Sequence, residues 1–220
     1  MTKKTVSFLI SGRGSNFTAV ARSIQQGKIN ARIGVVISSN PDAGGIARAE
    51  KMGLECVVVN RKEFTSSEDF EREIIKALVL HRTDLVVAAG FMIILSARFI
   101  RQFPSRIINI HPSLLPAFPG KDAQQQALDH GVKIAGCTCH FIDEGTDTGP
   151  IIAQSSVPVE EGETRLSLSK KILKEEHRIL AETVRLYCED RITVEGRHVH
   201  ISKSQRRSNF FRKPLSVIWK

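Results

Sequence analysis

The stretch RIINIHPSLLP, residues 106–116, joins an apolar run to two polar side chains and then meets a proline. Apolar β-branched residues favour a buried strand, and a following proline favours its end. Because side chains two apart on a strand point to the same side, Asn109 and His111 should project together. An amide donor beside an imidazole suits a reaction in which a carbonyl oxygen becomes negative and protons move. The pair alone is weak evidence, so the surrounding segments decide what it indicates.

Similar apolar runs alternate with helical patterns along the whole chain, which predicts an α/β domain with a mostly parallel central sheet. Strands are expected at residues 6–10, 32–38, 56–59, 85–89, 106–109, 135–141 and 151–157, with a last short strand at 194–201. Helices are expected at residues 17–26, in a segment ending near Gly53, and at 68–81, 96–103, 122–130 and 164–187. The sequence has no internal repeat and no low-complexity linker, which indicates one domain.

The composition is that of an ordinary globular protein, with 41% hydrophobic and 25% charged residues in 220. The apolar run at residues 6–10 is too short for the core of a signal peptide. The longest apolar run, residues 85–95, is interrupted by Gly90 and is too short to span a bilayer. We therefore predict a cytoplasmic protein whose four cysteines are reduced.

The net charge of +9 is concentrated at the C-terminal end. Residues 200–220 hold six basic residues and no acidic one, so 26 basic and 23 acidic residues remain in the rest of the chain. We predict a domain at residues 1–201 followed by a basic arm at 202–220. Aromatic and basic residues at 210–213 suit a nucleic-acid-binding arm, but a docked or frayed terminus is the favoured interpretation.

The loop SGRGSN, residues 11–16, follows the first predicted strand and opens a helix. Free backbone N–H groups at a helix N-terminus attract a phosphate, and Ser15 and Asn16 could add side-chain donors. The loop lacks the third glycine of a dinucleotide-binding motif and the Gly-Lys-Ser/Thr of an ATP-binding loop. A phosphate monoester site and a plain capped turn therefore remain equal alternatives.

Two further segments carry ambiguous signals. The turn DEGTDTGP, residues 143–150, holds three carboxylates with the wrong spacing for calcium, and such turns are usually solvated surface. A carboxylate from it placed near His111 would orient the imidazole and raise its pKa. The run GFMIIL, residues 90–95, is best explained as core, although an apolar wall at a strand end also suits a planar ring.

Taken together, these segments resemble the glycinamide ribonucleotide transformylases, the folate-dependent phosphoribosylglycinamide formyltransferases of purine synthesis. The resemblance rests on SGRGSN, AGFM-x-IL (residues 89–95), NIHPSLLP (109–116), FPG (118–120), residues 136–141 and D-x-GP (147–150). It implies the formyltransferase fold, with a Rossmann-like N-terminal half and a folate pocket formed by the later strands. It also implies 10-formyltetrahydrofolate as co-substrate, no metal, no membrane or nucleic-acid partner, and a monomer or homodimer.

The resemblance also implies roles for individual residues. The catalytic positions are matched by Asn109, His111 and Asp147. The substrate-binding positions are matched by Gly14, Ser15 and Asn16 in the phosphate loop and by Glu176 near the glycinamide end. The folate-binding positions are matched by Met92, Ile93, Ile94 and Leu95 beside the pterin, together with Asn109.

The chain departs from the family pattern in places, and other functions remain open. Ser67 stands where some members carry a folate-contacting arginine, with Arg61 and Lys62 as candidates to replace it, and Ile93 stands where some members carry another arginine. The arm from residue 202 matches nothing in the family. Formyltetrahydrofolate hydrolase, methionyl-tRNA formyltransferase and a nucleic-acid binder are the alternative functions, and the first two carry additional domains.

Overall fold

The computed structural model describes residues 3–203 and a short strand at 217–218. The strands are β1 Lys4–Ile10, β2 Ala31–Ser38, β3 Cys56–Val58, β4 Leu85–Ala88, β5 Ile107–His111, β6 Ile134–Phe141, β7 Ile151–Pro158, β8 Ile192–Glu195, β9 His198–Ile201 and β10 Val217–Ile218. The helices are α1 Ser15–Gln25, α2 Gly44–Lys51, α3 Ser67–Leu80, α4 Ala97–Gln102, α5 Ala123–Asp129 and α6 Arg165–Cys188. A short 3-10 turn covers Arg61–Glu63.

Eight of these strands form one sheet in the order β10-β7-β6-β5-β4-β1-β2-β3. Five consecutive strands of this sheet, β5, β4, β1, β2 and β3, pair with one another in parallel. On the other side of β5, the strands β6, β7 and β10 are added by antiparallel pairing. The α/β fold class and the mostly parallel central sheet are therefore confirmed. β10 pairs with Gln154 and Ser155 of β7, and the rest of the predicted arm beyond Lys203 lies outside the described residues.

The strand order reverses between β1 and β4, and this reversal creates the crevice that matters for function. The chain runs from β1 outward to β2 and β3, then returns to place β4 and β5 on the other side of β1. In open α/β sheets such a switch point leaves a crevice at the carboxyl ends of the strands. The loops after β1 and β4 meet there, since the Ser11 N–H donates to the Gly90 carbonyl over 3.1 Å.

The two faces of the sheet bury separate hydrophobic clusters. Helices α1 and α6 pack on one face, where Phe17, Leu168 and Ile172 are buried, and α3 and α4 pack on the other, where Phe70 and Phe99 are buried. β4 is buried along its whole length, as its unbroken apolar sequence predicts for a parallel strand covered on both faces. Both layers hold the central strands rigidly and so fix the positions of the loops that follow them.

The prediction of a single strand at 194–201 was wrong, because this segment forms the hairpin β8–β9. Gly196, at φ +60°, opens its two-residue turn, a conformation that favours glycine. The fifth strand also extends further than predicted and reaches His111. All four cysteines are free, and Cys137 and Cys139 are fully buried. Among the described helices, none is long and apolar enough to cross a membrane.

Candidate active site

The carboxyl end of β5 brings Asn109 and His111 to one carboxylate. Nδ2 of Asn109 lies 3.4 Å from Oδ1 of Asp147, and Nδ1 of His111 lies 3.2 Å from Oδ2 of the same residue. Both side chains therefore project to the same side of the strand, as their spacing of two residues predicts. The structure brings together the amide, the imidazole and the carboxylate that the sequence singled out.

Asp147 reaches this position because the loop between β6 and β7 folds back on itself. Asp143 accepts hydrogen bonds from the Gly145 N–H and the Thr148 hydroxyl, which tightens the turn. Asp147 itself has φ +55°, a left-handed conformation that is uncommon outside glycine and asparagine-like residues. The Gly120 N–H donates to Oδ2 of Asp147 over 2.8 Å, so the carboxylate is fixed from a second loop as well.

The pKa of Asp147 lies below its ordinary value. Burial opposes ionisation, but the hydrogen bond from His140, the Gly120 N–H and the nearby His111 outweigh that effect. The carboxylate therefore stays charged at neutral pH and can stabilise a positive imidazolium beside it.

The pKa of His111 is lowered overall, although Asp147 raises it as the sequence predicted. Burial disfavours the charged ring more than the Phe118 carbonyl and Asp147 favour it. Nε2 of His111 donates to the Phe118 carbonyl over 2.8 Å, since that oxygen can only accept. In the neutral ring Nδ1 therefore carries the lone pair, and a proton arriving there would lie between His111 and Asp147.

His140 belongs to this cluster, although the sequence reasoning assigned it no role. It lies opposite Asn109 in the β5–β6 register, and its ring is buried. Its Nε2 lies 3.2 Å from Nδ2 of Asn109 and 3.5 Å from Oδ1 of Asp147. A histidine in the largely apolar strand β6, shortly before the acidic turn, was the signal that could have identified it.

The phosphate loop lies at the carboxyl end of β1 and leads directly into α1. Gly14 has φ +70° and packs so closely on Gly45 that a Cβ atom would come within 2.8 Å of the Gly45 Cα atom. No side chain caps α1, which begins at Ser15, so backbone N–H groups at its start face the crevice side of the sheet. Such an exposed helix N-terminus favours a phosphate.

The side-chain amide of Asn16, which the sequence suggested as a donor to a phosphate at that loop, is bonded elsewhere. Its Nδ2 donates instead to Oε2 of Glu176 over 2.7 Å, while its own Oδ1 is buried without a hydrogen-bond partner. Burial raises the pKa of Glu176 even though the bond from Asn16 opposes this. A buried carboxylate beside an unpartnered amide oxygen forms a site that needs hydrogen-bond donors from a ligand.

The segment after β4 divides its apolar side chains between the core and the surface. Leu95 is buried, and Phe91 and Ile93 pack against the same core cluster. Met92 and Ile94 are 71% and 77% exposed. The core interpretation therefore holds for one face of the segment, while Met92 and Ile94 form an apolar wall that a planar ligand could cover.

Arg61 places a positive charge beside Ser67, the position at which some family members carry an arginine. The Arg61 guanidinium donates to the Ser67 hydroxyl over 3.1 Å and to the Phe64 carbonyl over 2.8 Å. Arg61, one of the two residues considered as a replacement for the family's arginine, thus lies beside Ser67. Among the described residues no group of three His, Cys, Asp or Glu side chains has the geometry to hold a metal ion.

Comparisons with known proteins agree with this architecture. The sequence pattern of the family described as Formyl transferase matches residues 4–184. The chain is 46% identical over 178 residues to the trifunctional purine biosynthetic protein adenosine-3 of Drosophila melanogaster, covering 80% of this chain but only 13% of that protein. It is 39% identical over 175 residues to phosphoribosylglycinamide formyltransferase of Bacillus subtilis, covering 80% of this chain and 90% of the relative.

A solved structure extends the agreement to three dimensions. Glycinamide ribonucleotide transformylase 1 from Symbiobacterium toebii superposes with a TM-score of 0.90 at 45% identity, covering 91% of this chain and 95% of that one. The matched residues include β1, β4, β5 and the acidic turn, whose loops form the crevice described above. With its fold and its sequence in agreement, the chain belongs to the formyl transferase family.

Proposed function

We propose that the chain transfers the formyl group of 10-formyltetrahydrofolate to the amine of 5'-phosphoribosylglycinamide, a step of purine synthesis. The observation that carries this proposal is the order of three loops at the end of the sheet where the parallel strands have their carboxyl ends. The carboxyl ends of β1, β4 and β5 lie side by side and lead to the phosphate loop, the apolar wall and the Asn109–His111 pair. A phosphorylated amine at the phosphate loop and a planar formyl donor against the apolar wall could therefore both reach the Asn109–His111 pair.

The reaction begins when the amine nitrogen bonds to the formyl carbon and the carbonyl electrons move to its oxygen. We propose that Nδ2 of Asn109 donates a hydrogen bond to that oxygen, which stabilises it where the charge develops. The attacking nitrogen becomes positive and loses a proton, which His111 accepts at Nδ1 beside Asp147. The proton then passes to the folate nitrogen, the carbon–nitrogen bond to folate breaks, and the carbonyl re-forms.

This role for His111 requires a ring that is neutral before the reaction, not one that Asp147 already holds protonated. Burial lowers the pKa of His111, which supports a neutral ring in the resting enzyme. The ring becomes charged only as the negative oxygen develops, when that charge and Asp147 both favour the imidazolium. Stabilisation that appears only in the transition state accelerates the reaction, whereas stabilisation of the resting state does not.

The pH dependence of turnover tests this order of protonation. Because neutral His111 is the proton acceptor, turnover should fall as the pH drops through the pKa of His111, which lies below 6.5. Asp147 raises the pKa of His111, so Asp147→Asn should move this acidic limb to lower pH. The rates of both proteins are measured across pH under identical substrate conditions. The titration of the substrate amine then affects both pH profiles alike and does not change the shift between them. A limb that stays in place or moves upward would contradict the scheme.

Glu176 and Asn16 are proposed to bind donor groups of the phosphoribosylglycinamide. Glu176→Gln replaces one of the two acceptor oxygens of Glu176 with an NH2 donor, at a site that already holds the unpartnered Oδ1 of Asn16. We expect the KM for this substrate to rise about tenfold, because leaving a buried donor of the ligand unsatisfied costs about 1–3 kcal/mol. The KM for the folate should stay constant. Initial rates with each substrate varied in turn measure both constants, and Glu161→Gln, at an exposed position, is the matched control.

A direct assay separates the proposed transferase from a formyltetrahydrofolate hydrolase. The protein is mixed with 10-formyltetrahydrofolate, and deformylation is followed by absorbance with and without the phosphoribosylglycinamide. Deformylation only when the amine is present supports the transferase. Equal deformylation without it supports the hydrolase and refutes the proposal.

We also propose that residues 1–201 form the catalytic domain and that 202–220 act as a basic arm. The family match at 4–184 supports a catalytic unit within those bounds. A chain ending at Lys203 should therefore keep its turnover. The cytoplasmic location and the choice between monomer and homodimer stay predictions from the sequence.

A further inference from the structure

The segment from Gly90 to Ser96, called the wall segment here, has no regular strand or helix pairing of its own. It carries the exposed side chains Met92 and Ile94, and its buried side chains fix its depth in the core. Apolar packing is not directional, so it does not by itself fix where such a segment lies along the sheet edge. Hydrogen bonds to its backbone are needed for that.

At its C-terminal end the wall segment is held by Glu71 of α3. This side chain is only 3% exposed, and its oxygens accept hydrogen bonds from the Ser96 N–H over 2.7 Å and from the Ser96 hydroxyl. Ser96 already caps α4 by accepting the Phe99 N–H over 3.2 Å. Capping of α4 by Ser96 therefore does not explain why the Glu71 carboxylate is buried. Removing a carboxylate from water is costly, so another role for Glu71 is needed.

At its N-terminal end the wall segment is held by Ser11, the first residue of the phosphate loop. The Ser11 hydroxyl oxygen accepts the Met92 N–H over 2.9 Å and lies 2.7 Å from the hydroxyl oxygen of Ser39. Since it accepts from Met92, Ser11 can donate its own proton to Ser39, which is buried. The wall segment is thus tied to the loop after β1 by a side chain and to α3 by another.

We infer that Glu71 and Ser11 are positioning residues that hold Met92 and Ile94 in place for the folate. This inference rests on the proposed function and extends it to two residues that act through their hydrogen bonds to the wall segment. Glu71 acts through Ser96 and Ser11 acts through Met92, so the loss of either should let the wall shift. The KM for the folate should then rise while the chemistry at Asn109 and His111 continues.

The test compares Glu71→Ala, Glu71→Gln and Ser11→Ala with Glu73→Gln, a control on the same helix whose carboxylate is exposed. Glu71→Ala and Ser11→Ala should raise the KM for 10-formyltetrahydrofolate about tenfold, as expected for an unsatisfied backbone donor. Glu71→Gln should recover most of that loss, because its amide oxygen can still accept the Ser96 N–H. Glu71 variants should leave the KM for phosphoribosylglycinamide unchanged.

Calorimetric titration with 10-formyltetrahydrofolate alone, together with thermal unfolding, decides the outcome. Weaker folate binding by folded Ser11→Ala, with near-normal binding by Glu71→Gln and Glu73→Gln, supports the inference even if Glu71→Ala fails to fold. Alanine variants that lose thermal stability but bind folate as the unmodified protein does would overturn it and leave the proposed function intact. Failure of the unmodified protein to bind folate would overturn both.

Discussion

Asp147→Asn should reduce turnover by about two to three orders of magnitude, which is among the largest effects expected of a single substitution in this chain. The carboxylate contacts both reacting side chains, at 3.2 Å from Nδ1 of His111 and 3.4 Å from Nδ2 of Asn109. Asparagine keeps the size and the hydrogen bond from the Gly120 N–H, but it removes the charge that stabilises an imidazolium. The loss should therefore fall on kcat and leave KM for both substrates nearly unchanged.

The control for this prediction lies three residues earlier in the same acidic turn. Glu144 is exposed and pairs with Arg101 on the surface, so Glu144→Gln should keep full turnover. Steady-state rates of the two variants beside circular dichroism spectra separate lost chemistry from lost fold. Near-normal turnover of Asp147→Asn would remove this carboxylate from the mechanism.

Asn109→Ala and His111→Ala should each cost a similar factor, since each removes a group from the same reacting cluster. Effects of residues that act as one unit do not add. We therefore expect the double substitution to reduce turnover little more than the worse of the two single ones. A double variant whose loss equals the product of the single losses would indicate independent roles.

Gly149→Ala should lower both stability and turnover, and it is the second large effect that the structure predicts. A Cβ atom at this position would lie 1.8 Å from the Phe141 carbonyl oxygen and 2.8 Å from its carbon. Both are backbone atoms of β6, so neither can rotate away. Overpacking of this kind typically costs about 1–3 kcal/mol, and the shift of the turn that carries Asp147 could cost about a hundredfold in rate.

Denaturant unfolding and initial rates of the same preparation measure these two consequences. Gly44→Ala is the matched control, since its new methyl group would meet only the Arg13 Cα atom at an ordinary 3.9 Å. That variant should keep its free energy of unfolding. If Gly149→Ala unfolds at the same denaturant concentration as the unmodified chain and keeps its rate, the close approach is not needed to place Asp147.

The elements that the sequence predicted well are those whose signals are local. The unbroken apolar run of β4 and the helical spacing of α3 predict their structures within a residue or two, because each pattern repeats within a few residues. Prediction failed at 194–201, where the extended pattern continues on both sides of Gly196 and hides the turn. A short apolar pattern does not reveal where a chain reverses.

The candidate site likewise has one part that local sequence predicts and another that depends on tertiary structure. Its sequence alone determined that Asn109 and His111 share one side of a strand, because backbone geometry fixes that over two residues. Only the tertiary structure decided that Asp147 turns inward, that His140 joins the cluster, and that the pKa of His111 falls. Each of these depends on burial and on partners from distant parts of the chain, and long-range packing sets both.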